Sequence, residues 1–380
     1  MAQLRIKNHI IIPVLRSDER KYITYDVVNG VATKQSITKW KLPGNVTDVS
    51  DYALQYIQNG NTNITQVDLS SLTSINGQYA LRYAFQGCSN LTSLDLSNVV
   101  TINGQYALYY TFAACTKLTS VVMDDLTTIG SYSLNYTFSG CSALTSVDMS
   151  NLTTIGQYGL NYAFNSCTNL RTIDLSSVTS VGNYAFSYAF NGCSNITDLD
   201  LSHLTSISAT YVFQNCFTSI KNLDLSHITT STGNYAFYRM CYGNSSNLLT
   251  VDLSGLTKAS GTYSFQQAFY NCQKMTSCNL NNLKTIPATN NSYCFYQTFY
   301  RCYALTSMRF PKITSSDVSI TGTTEATNPF YRCFYQCTGM TELHFHSSMS
   351  TYSSYLTKAV LFGGTGTSYC NANLQIKFDL

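Results

Sequence analysis

The chain has 380 residues, of which 44% are hydrophobic, 13% aromatic and 11% charged, and its formal net charge is +3. A chain this aromatic can bury a core, which excludes long disorder, and the weak net charge argues against a nucleic-acid binding protein driven by phosphate contacts. No run of about 18 apolar residues is present, so the sequence predicts no transmembrane helix and no insertion into a membrane.

The first 50 residues are predicted to form a β-rich, basic module. Residues 9–15 and 21–28 form two predicted strands around a polar turn, and residues 27–30 carry a hairpin signal. Residues 1–42 contain eight Lys and Arg against three Asp and Glu, so the positive charge of the chain is concentrated at this end.

Two roles are open for this basic module. It can cap the first repeat unit, because the ends of a repeat array must be shielded from water. It can also dock the chain onto a larger assembly or onto other copies of itself. The candidate docking residues lie around the single tryptophan of the chain and are Trp40, Lys39 and Lys41.

A repeat of about 26 residues dominates the chain over residues 51–345. Residues 79–97 and 158–176 match at nearly every apolar position, and the same frame fits residues 132–150 and 184–202. About ten units result, with a period that lies in the range of leucine-rich repeats. Because one unit cannot bury its apolar side alone, the repeat predicts a stack of units that share one core.

Each unit has two halves with different periodicities. In residues 91–97, Leu94 and Leu96 alternate with polar residues, which predicts a short half-buried strand. In residues 79–88 the apolar positions recur at i, i+4 and i+8, which predicts a short helical or 3-10 segment with one buried face. The predicted fold class is therefore an α/β solenoid of short parallel strands and short helical or 3-10 segments.

The regular repeat ends near residue 345, and the remaining chain is predicted to be a C-terminal cap. Residues 374–380 alternate between apolar and polar types, as a strand does. The predicted domains are a β-rich N-terminal cap or docking module at 1–50, the solenoid at 51–345 and the β-rich C-terminal cap at 346–380.

The repeat pattern carries a family resemblance. Ala84, Phe85, Cys88 and Leu91 belong to a motif A-F-x-x-C-x-x-L that recurs at fixed offsets and is followed by Asp-Leu-Ser. This pattern resembles the BspA-like leucine-rich repeat family and covers about three quarters of the chain. The resemblance implies a right-handed solenoid used for binding, as in members on bacterial surfaces, in protozoa and in some phage-encoded proteins.

The fourteen cysteines are predicted to be free and buried. Cys88, Cys115, Cys141, Cys167 and Cys193 are separated by 27, 26, 26 and 26 residues, so each unit holds one at the same repeat position. This spacing favours a column of small buried side chains over disulfides, because free cysteine packs as a small apolar residue. Pairs of the type C-x2-C do not recur, so the sequence predicts no zinc, no other metal site and no cofactor.

Polar residues recur in the strand half of the units and are predicted to form columns on the concave face. One interpretation is a hydrogen-bonded ladder that sets the register of the strands. The other is a polar, weakly acidic groove for sugars, for a protein partner or for a cation. The candidate binding residues are Asp95, Asp148, Asp174, Asp200, Asp224, Asp252, Ser93, Ser146 and Thr172.

Tyrosines recur in i, i+4 pairs at the repeat spacing, and they are predicted to stack into an aromatic seam beside the buried phenylalanines. The seam can serve packing, with the hydroxyls near solvent. It can also be a contact surface, because tyrosine offers a large area at a low cost in entropy. The seam candidates are Tyr83, Tyr136, Tyr162 and Tyr188.

The sequence predicts neither an enzyme nor any catalytic residue. The five histidines do not converge on a site, and no nucleophile elbow, phosphate loop or zinc-protease motif is present.

The predicted function is that of a non-enzymatic binding or adhesion protein that presents a rigid surface to a protein or a cell-surface glycan. The apolar run at residues 10–15 is too short for a signal peptide, so synthesis in the cytoplasm is expected. The favoured role is a phage virion component, such as a tail or head fibre in host recognition, with virion or homo-oligomer contacts through the first 50 residues. The alternative is a bacterial or protozoan BspA-like module at the cell surface or inside the cell.

Overall fold

The computed structural model describes residues 38–42, 44–287, 293–310, 320–324 and 328–379, together with the backbone of four short strands before residue 38. The chain divides into two compact units, Met1–Asp200 and Leu201–Leu380. This division falls inside the repeat region, so the predicted domain boundaries stay predictions. Among the described residues, no helix is long and apolar enough to cross a membrane.

Unit 1 is built from short strands. They are β1 (Arg5–Ile6), β2 (His9–Ile10), β3 (Asp26–Val28), β4 (Val31–Thr33), β5 (Lys39–Lys41), β6 (Gln66–Asp68), β7 (Ser93–Asp95), β8 (Thr101–Ile102), β9 (Ser120–Val122), β10 (Thr128–Ile129), β11 (Ser146–Asp148), β12 (Thr154–Ile155), β13 (Thr172–Asp174), β14 (Ser180–Val181) and β15 (Asp198–Asp200).

Unit 2 continues with short strands and adds two helices near the C-terminus. Its strands are β16 (Ser206–Ile207), β17 (Asn222–Asp224), β18 (Thr230–Ser231), β19 (Thr250–Asp252), β20 (Lys258–Ala259), β21 (Ser277–Asn279), β22 (Ser307–Phe310), β23 (Glu342–Phe345) and β24 (Gln375–Phe378). The helices are a 3-10 helix at Ser347–Tyr352 and the α-helix α1 at Lys358–Phe362.

The strands of successive coils pair in parallel, where a coil is one complete turn of the chain. In unit 1 the order β15-β13-β11-β9-β7-β6-β5 forms a seven-stranded sheet, and β14-β12-β10-β8 form a second sheet. Unit 2 contains three-stranded sheets of order β17-β19-β21, β16-β18-β20 and β22-β23-β24. In β11 the middle residue Val147 is buried while its neighbours face outward, and most other three-residue strands of the repeats share this pattern. The stacked parallel strands confirm the predicted solenoid architecture.

The N-terminal strands pair in antiparallel fashion. β3 and β4 place Val28 opposite Val31, which confirms the hairpin signal at residues 27–30. The rest of the two strands predicted at residues 9–15 and 21–28 lies outside the described residues, apart from β2 and the end that belongs to β3.

The helical segments predicted in each unit are wrong, because these residues form a chain of turns, which we name the turn arms. In the arm at residues 79–87, Ala80 N–H donates to Gly77 O three residues back at 3.3 Å. The next N–H, that of Leu81, donates to Ala107 O of the following coil at 2.8 Å. An α-helix needs every interior N–H for its own i−4 carbonyl, whereas here alternate N–H groups bond to the neighbouring coil.

The backbone of the turn arms also has a positive φ at every fourth residue, which a helix cannot accommodate. Tyr79 has φ +53° and Tyr83 has φ +56°, and Gly87 continues the series at +70°. A hydrogen-bonded turn with a positive φ at its third residue is the type II arrangement. Bulky residues rarely adopt this region, so a periodicity of four does not indicate it.

The core contains two buried columns, one of phenylalanines and one of thiols. In unit 1, Phe138, Phe164 and Phe190 stack in sequence at centroid distances of 5.6 Å and 5.8 Å. The Sγ of Cys141 donates to Phe112 O of the preceding coil at 3.2 Å. All fourteen cysteines are free and buried, which confirms that prediction. Burial raises the pKa of the Cys141 thiol to about 12, so the thiol is neutral at physiological pH.

Candidate functional site

The outward face of the seven-stranded sheet gathers most of the residues predicted to bind. Asp148 lies beside Asp174, and Asp174 lies beside Asp200, at the third positions of β11, β13 and β15. At the first positions Ser146 lies beside Thr172. We name the outward surface of this seven-stranded sheet, which consists of β5, β6, β7, β9, β11, β13 and β15, the sheet face.

The remaining predicted residues lie on β7 of the same sheet or on strands of unit 2. Asp95 lies beside Val122, which interrupts the carboxylate column with an apolar side chain that is 42% exposed. Asp224 and Asp252 pair with each other in unit 2, on β17 and β19. Ser93 occupies the first position of β7 and is exposed.

The aspartates are engaged by hydrogen bonds within their own coil. Asp174 Oδ1 accepts from the backbone N–H of Ser176 at 3.0 Å and from its hydroxyl at 2.7 Å. Asp95 accepts from Ser97 in the same way, at 3.1 Å and 2.8 Å. Each carboxylate therefore fixes the turn that follows its strand, as an Asx turn does.

In unit 2 the same kind of hydrogen bond lowers the pKa of Asp224. At Asp224, partial burial opposes ionisation, but the hydroxyl and the N–H of Ser226, with nearby His227, hold the pKa below its ordinary value. The Asp224 carboxylate is therefore anionic at neutral pH.

Sequence reasoning missed a row of threonines on the edge of the sheet face, one residue before each strand of the sheet except β13, which Arg171 precedes. The hydroxyl of Thr92 donates to Thr65 O at 3.1 Å, and that of Thr145 donates to Thr119 O at 3.0 Å. Each of these bonds joins one coil to the coil before it. The recurring Leu-Thr step in the sequence marks this row.

The predicted tyrosine seam is present as two stacks on the turn arms of unit 1. The rings lie nearly parallel, with Tyr136 and Tyr162 at a centroid distance of 4.4 Å and Tyr162 and Tyr188 at 4.3 Å. The first tyrosine ladder is Tyr52, Tyr79, Tyr106, Tyr132, Tyr158 and Tyr184, and the second tyrosine ladder is Tyr56, Tyr83, Tyr110, Tyr136, Tyr162 and Tyr188.

The stacking decides which part of each tyrosine reaches solvent. Within a ladder, both faces of a ring such as Tyr162 are covered by the rings before and after it. The ring remains half-buried, so its exposed part is the edge. A binding role of the seam therefore concerns ring edges and hydroxyls, and that role stays a prediction.

We expect the ladders to make the protein sensitive to strongly alkaline pH. Burial, with smaller contributions from neighbouring tyrosines, raises the pKa of the ladder residue Tyr158 from 10.0 to about 12. Because the folded pKa exceeds the unfolded one, the stabilisation is complete below pH 10 and is lost as the pH rises through about 12. Phenolate absorbance followed beside far-UV circular dichroism should show late ionisation coupled to unfolding. Complete ionisation near pH 10 with the fold intact would contradict this.

A second prediction concerns the positive φ of the ladder residues. Tyr162, at φ +53°, can be replaced by glycine or by alanine, and both variants lose the stacked ring. Alanine keeps the steric strain of this region, whereas glycine does not. We expect Tyr162→Gly to be more stable than Tyr162→Ala by about 1 kcal/mol, the reverse of the usual order. Urea denaturation of the two variants measures this difference. Equal stabilities, or a glycine variant less stable than the alanine variant, would be evidence against a positive φ at Tyr162.

Unit 2 replaces part of the tyrosine stacking by planar polar groups, which sequence reasoning did not find. The Nε of Arg239 donates to the Oε1 of Gln267 at 2.7 Å, and the Nε2 of Gln267 donates to Gln297 at 2.8 Å. The guanidinium of Arg239 also lies 4.8 Å from the centre of the Tyr242 ring. The side-chain hydrogen bonds therefore continue the row from coil to coil, and the cation–π contact stabilises Arg239 within its own turn arm.

The candidate docking residues near the N-terminus separate into one buried and two exposed side chains. Trp40 is buried at the first strand of the large sheet and meets the Phe85 ring edge-on at 5.1 Å. Lys41 forms an ion pair with Asp68, which raises the pKa of the lysine, while Lys39 is exposed. The tryptophan thus covers the core of the next coil, and docking through the lysines stays a prediction.

A polar cluster near the C-terminus joins β23 to β24. The Nδ1 of His344 lies 2.8 Å from Asp379, its Nε2 lies 3.2 Å from Glu342, and Lys377 donates to Glu342 at 2.8 Å. Hydrogen bonds from Lys377 and His344 lower the pKa of Glu342. Within the described part of the chain, no group of three or more His, Cys, Asp or Glu is placed to hold a metal ion.

Comparison with known proteins finds one family. The model described as "BspA type Leucine rich repeat region" matches in six copies, over residues 29–159, 60–188, 161–298 and 266–359. The comparison with curated proteins finds no match.

Solved structures of bacterial repeat proteins are also similar. A leucine-rich cell surface protein from Faecalibacterium prausnitzii is 17% identical, with 98% of this chain and 87% of that chain covered and a TM-score of 0.40. The leucine-rich repeat protein of T. pallidum is 23% identical, with 48% of this chain and 78% of that chain covered and a TM-score of 0.34. A leucine-rich repeat protein from Eubacterium ventriosum is 18% identical, with 85% of this chain and 86% of that chain covered and a TM-score of 0.34.

Proposed function

The chain belongs to the BspA-type leucine-rich repeat family, and from this premise we propose that it is a non-enzymatic binding protein whose repeat surface holds a protein or a cell-surface glycan. Repeat arrays of this kind present extended surfaces on which many weak contacts add up along one ligand. The proposal concerns the sheet face in the first place.

One observation carries the proposal, namely the ordered polar columns of the sheet face. Hydroxyls at Ser146 and Thr172 and carboxylates at Asp148 and Asp174 repeat from strand to strand in exact parallel register. Neighbouring strands lie about 4.8 Å apart, so the groups offer hydrogen bonds at a regular interval. An extended protein segment or a sugar chain with regularly spaced donors fits such a surface.

The rigidity of the sheet face supports binding as well. The opposite side of the same strands is buried, as Val147 and Ile173 are, and the Asx turns hold the carboxylates in place. Groups that are fixed before binding lose little conformational entropy when the partner arrives.

The test compares two variants that carry the same change of charge. The first is the double variant Asp148→Asn and Asp174→Asn on the sheet face. Asn279 occupies the same position in β21 and still accepts from the N–H of Asn281, so asparagine preserves the turn. The control is the double variant Ser131→Lys and Gln157→Lys, at exposed positions on the way into the turn arms.

The three proteins are applied to a glycan array and to a panel of purified surface proteins. We expect any ligand of the parent chain to bind at least tenfold more weakly to the aspartate variant and unchanged to the control. Equal binding by the parent and the aspartate variant would remove the sheet face as the binding surface.

The narrower role as a phage virion component in host recognition remains a prediction from the sequence. Its support is the basic composition of residues 1–42 and the resemblance to phage-encoded members of the family. Electron microscopy of virions with an antibody to the chain would test it.

A further inference from the structure

A third tyrosine ladder runs across four coils of unit 2. Its rings stack nearly parallel, with centroids 4.8, 4.2 and 4.7 Å apart. In chain order its members are Tyr242, Tyr270, Tyr300 and Tyr335. All four rings are half-buried on the turn arms, so the ladder forms a row of side chains that reaches solvent along one surface.

Three arginines lie along this ladder. The centre of a ladder ring is 4.8 Å from the guanidinium carbon of Arg239, 5.3 Å from that of Arg301 and 5.6 Å from that of Arg332. Cation–π contacts of this length hold a guanidinium beside a ring. Arg239 and Arg332 are three coils apart, which is about 14 Å at the spacing of parallel strands. The three charges therefore share one surface, which we name the arginine face.

Carboxamides of the following coil fix two of the guanidinium groups. The Nε of Arg239 donates to Gln267, and the Nε of Arg301 donates to the Oε1 of Gln336 at 2.7 Å. Both bonds use Nε, so the Nη groups at the end of each guanidinium stay available for a ligand. Groups that are oriented before binding lose little conformational entropy when the ligand arrives.

The arginine face carries positive charge without neighbouring negative charge. The four turn arms that form it, residues 235–243, 263–271, 293–301 and 330–337, contain the three arginines and no other charged residue. Within the part of the chain that the structure describes, none of these arginines forms an ion pair. A row of uncompensated charges of one sign attracts a ligand of the opposite sign.

The surroundings of the arginines favour a sugar chain over a nucleic acid or a protein. Ladder neighbours cover both faces of inner rings such as Tyr270, which leaves no face for the stacking of nucleobases. Protein partners anchor themselves in apolar pockets, but the described residues of these turn arms expose no large apolar side chain. Half-buried Gln297 and Asn271 provide amide groups, which suit sugar hydroxyls.

We propose that the arginine face of unit 2 binds an anionic polysaccharide, a sugar chain that carries sulfate or carboxylate groups. The guanidinium groups of Arg239, Arg301 and Arg332 bond to the anionic groups, whose planar or threefold oxygens match the arginine fork. Because a single exposed ion pair contributes little, binding requires several arginines at once, and a long chain binds more tightly than a single charged sugar. This site shares no residue with the sheet face, so it goes beyond the function proposed for that surface and does not rest on it.

The probe for this site is immobilised dextran sulfate, with unsulfated dextran as the reference surface, and binding of the full chain is followed by surface plasmon resonance. The test variant replaces all three arginines, as Arg239→Gln, Arg301→Gln and Arg332→Gln. Glutamine is chosen because Gln297 and Gln336 occupy the same columns with the same positive φ, at +51° and +57°. We expect this variant to bind at least tenfold more weakly than the parent chain.

The matched control removes the same charge elsewhere in unit 2. It is the triple variant Lys221→Gln, Lys258→Gln and Lys284→Gln, at exposed positions outside the turn arms. This control should bind dextran sulfate within about twofold of the parent. An equal loss in both triple variants would show that net charge alone is sensed and would overturn the proposal. Failure of the parent to bind dextran sulfate, or equal binding to unsulfated dextran, would overturn it as well.

Competitors and a single variant complete the test. Polyglutamate or single-stranded DNA that binds as tightly as dextran sulfate would assign the arginine face to another class of polyanion and contradict the sugar chain. The single variant Arg301→Gln, whose side chain is exposed, should weaken binding about threefold, and it decides the question if the triple variant loses its circular dichroism spectrum. The double variant Asp148→Asn and Asp174→Asn should bind dextran sulfate like the parent. A failure of the sheet face and a failure of the arginine face are therefore distinguishable.

Discussion

Replacement of Phe164 by alanine is expected to lower the free energy of unfolding by about 3–5 kcal/mol. The ring is fully buried and is stacked between Phe138 at 5.6 Å and Phe190 at 5.8 Å. Its removal forfeits the burial of a large apolar group and leaves a cavity that the stacked coils cannot close, because their spacing is fixed by backbone hydrogen bonds. Urea denaturation followed by circular dichroism measures the loss.

The matched control for this variant lies in the same coil. Thr168 is exposed, and Thr168→Ala should change the free energy of unfolding by less than about 0.5 kcal/mol. A Phe164→Ala protein as stable as this control would mean that the phenylalanine column is not the core of unit 1.

Replacement of Gly104 by alanine is expected to destabilise the protein by about 3 kcal/mol, through crowding rather than loss of contact. A Cβ at this position would collide with the carbonyl group of Gly77 in the preceding coil and lie 2.9 Å from the carbonyl carbon of Asn76. Backbone atoms held in a ladder cannot move aside as the end of a flexible side chain can, so neighbouring coils would be forced apart.

Gly44 provides the comparison for the glycine variant. A Cβ there meets nothing within 4 Å. Gly44→Ala should be neutral or slightly stabilising, because alanine reduces the entropy of the unfolded chain. Thermal denaturation of both variants tests the pair, and equal midpoints would contradict the close approach at Gly104.

The repeat architecture follows from the sequence because it depends on spacing alone. Leu94 and Leu96 alternate with polar neighbours, and the strand that this predicts is observed at Ser93–Asp95. The buried free thiols also follow, since one cysteine per unit at one position can only form a column. These features need no knowledge of the backbone between the strands.

The turn arms could not be predicted in the same way. Apolar residues at i, i+4 and i+8 fit one side of a helix and equally a chain of turns with a period of four. The distinction depends on a positive φ at residues such as Tyr79 and Tyr83, and tyrosine is not a residue type that signals this conformation. Stacking with adjacent coils stabilises what the isolated segment would avoid, so the cause is tertiary.

Which residues belong to the candidate site could be predicted from the sequence, whereas their hydrogen bonds were harder to predict. The repeat frame alone brings Asp148 and Asp174 together. Their bonds to the serine two residues later correspond to an Asx signal that the sequence does contain at Asp174 and Ser176.

The hydrogen bonds of the turn arms also align peptide dipoles along the stack of coils in unit 1. The N–H groups of Tyr79, Leu81, Tyr83, Phe85 and Gly87 all donate to carbonyls of the following coil. Peptide dipoles aligned in this way add up, as they do along a helix axis. The carbonyl ends point toward the start of the stack, so that end carries a partial negative charge and attracts cations.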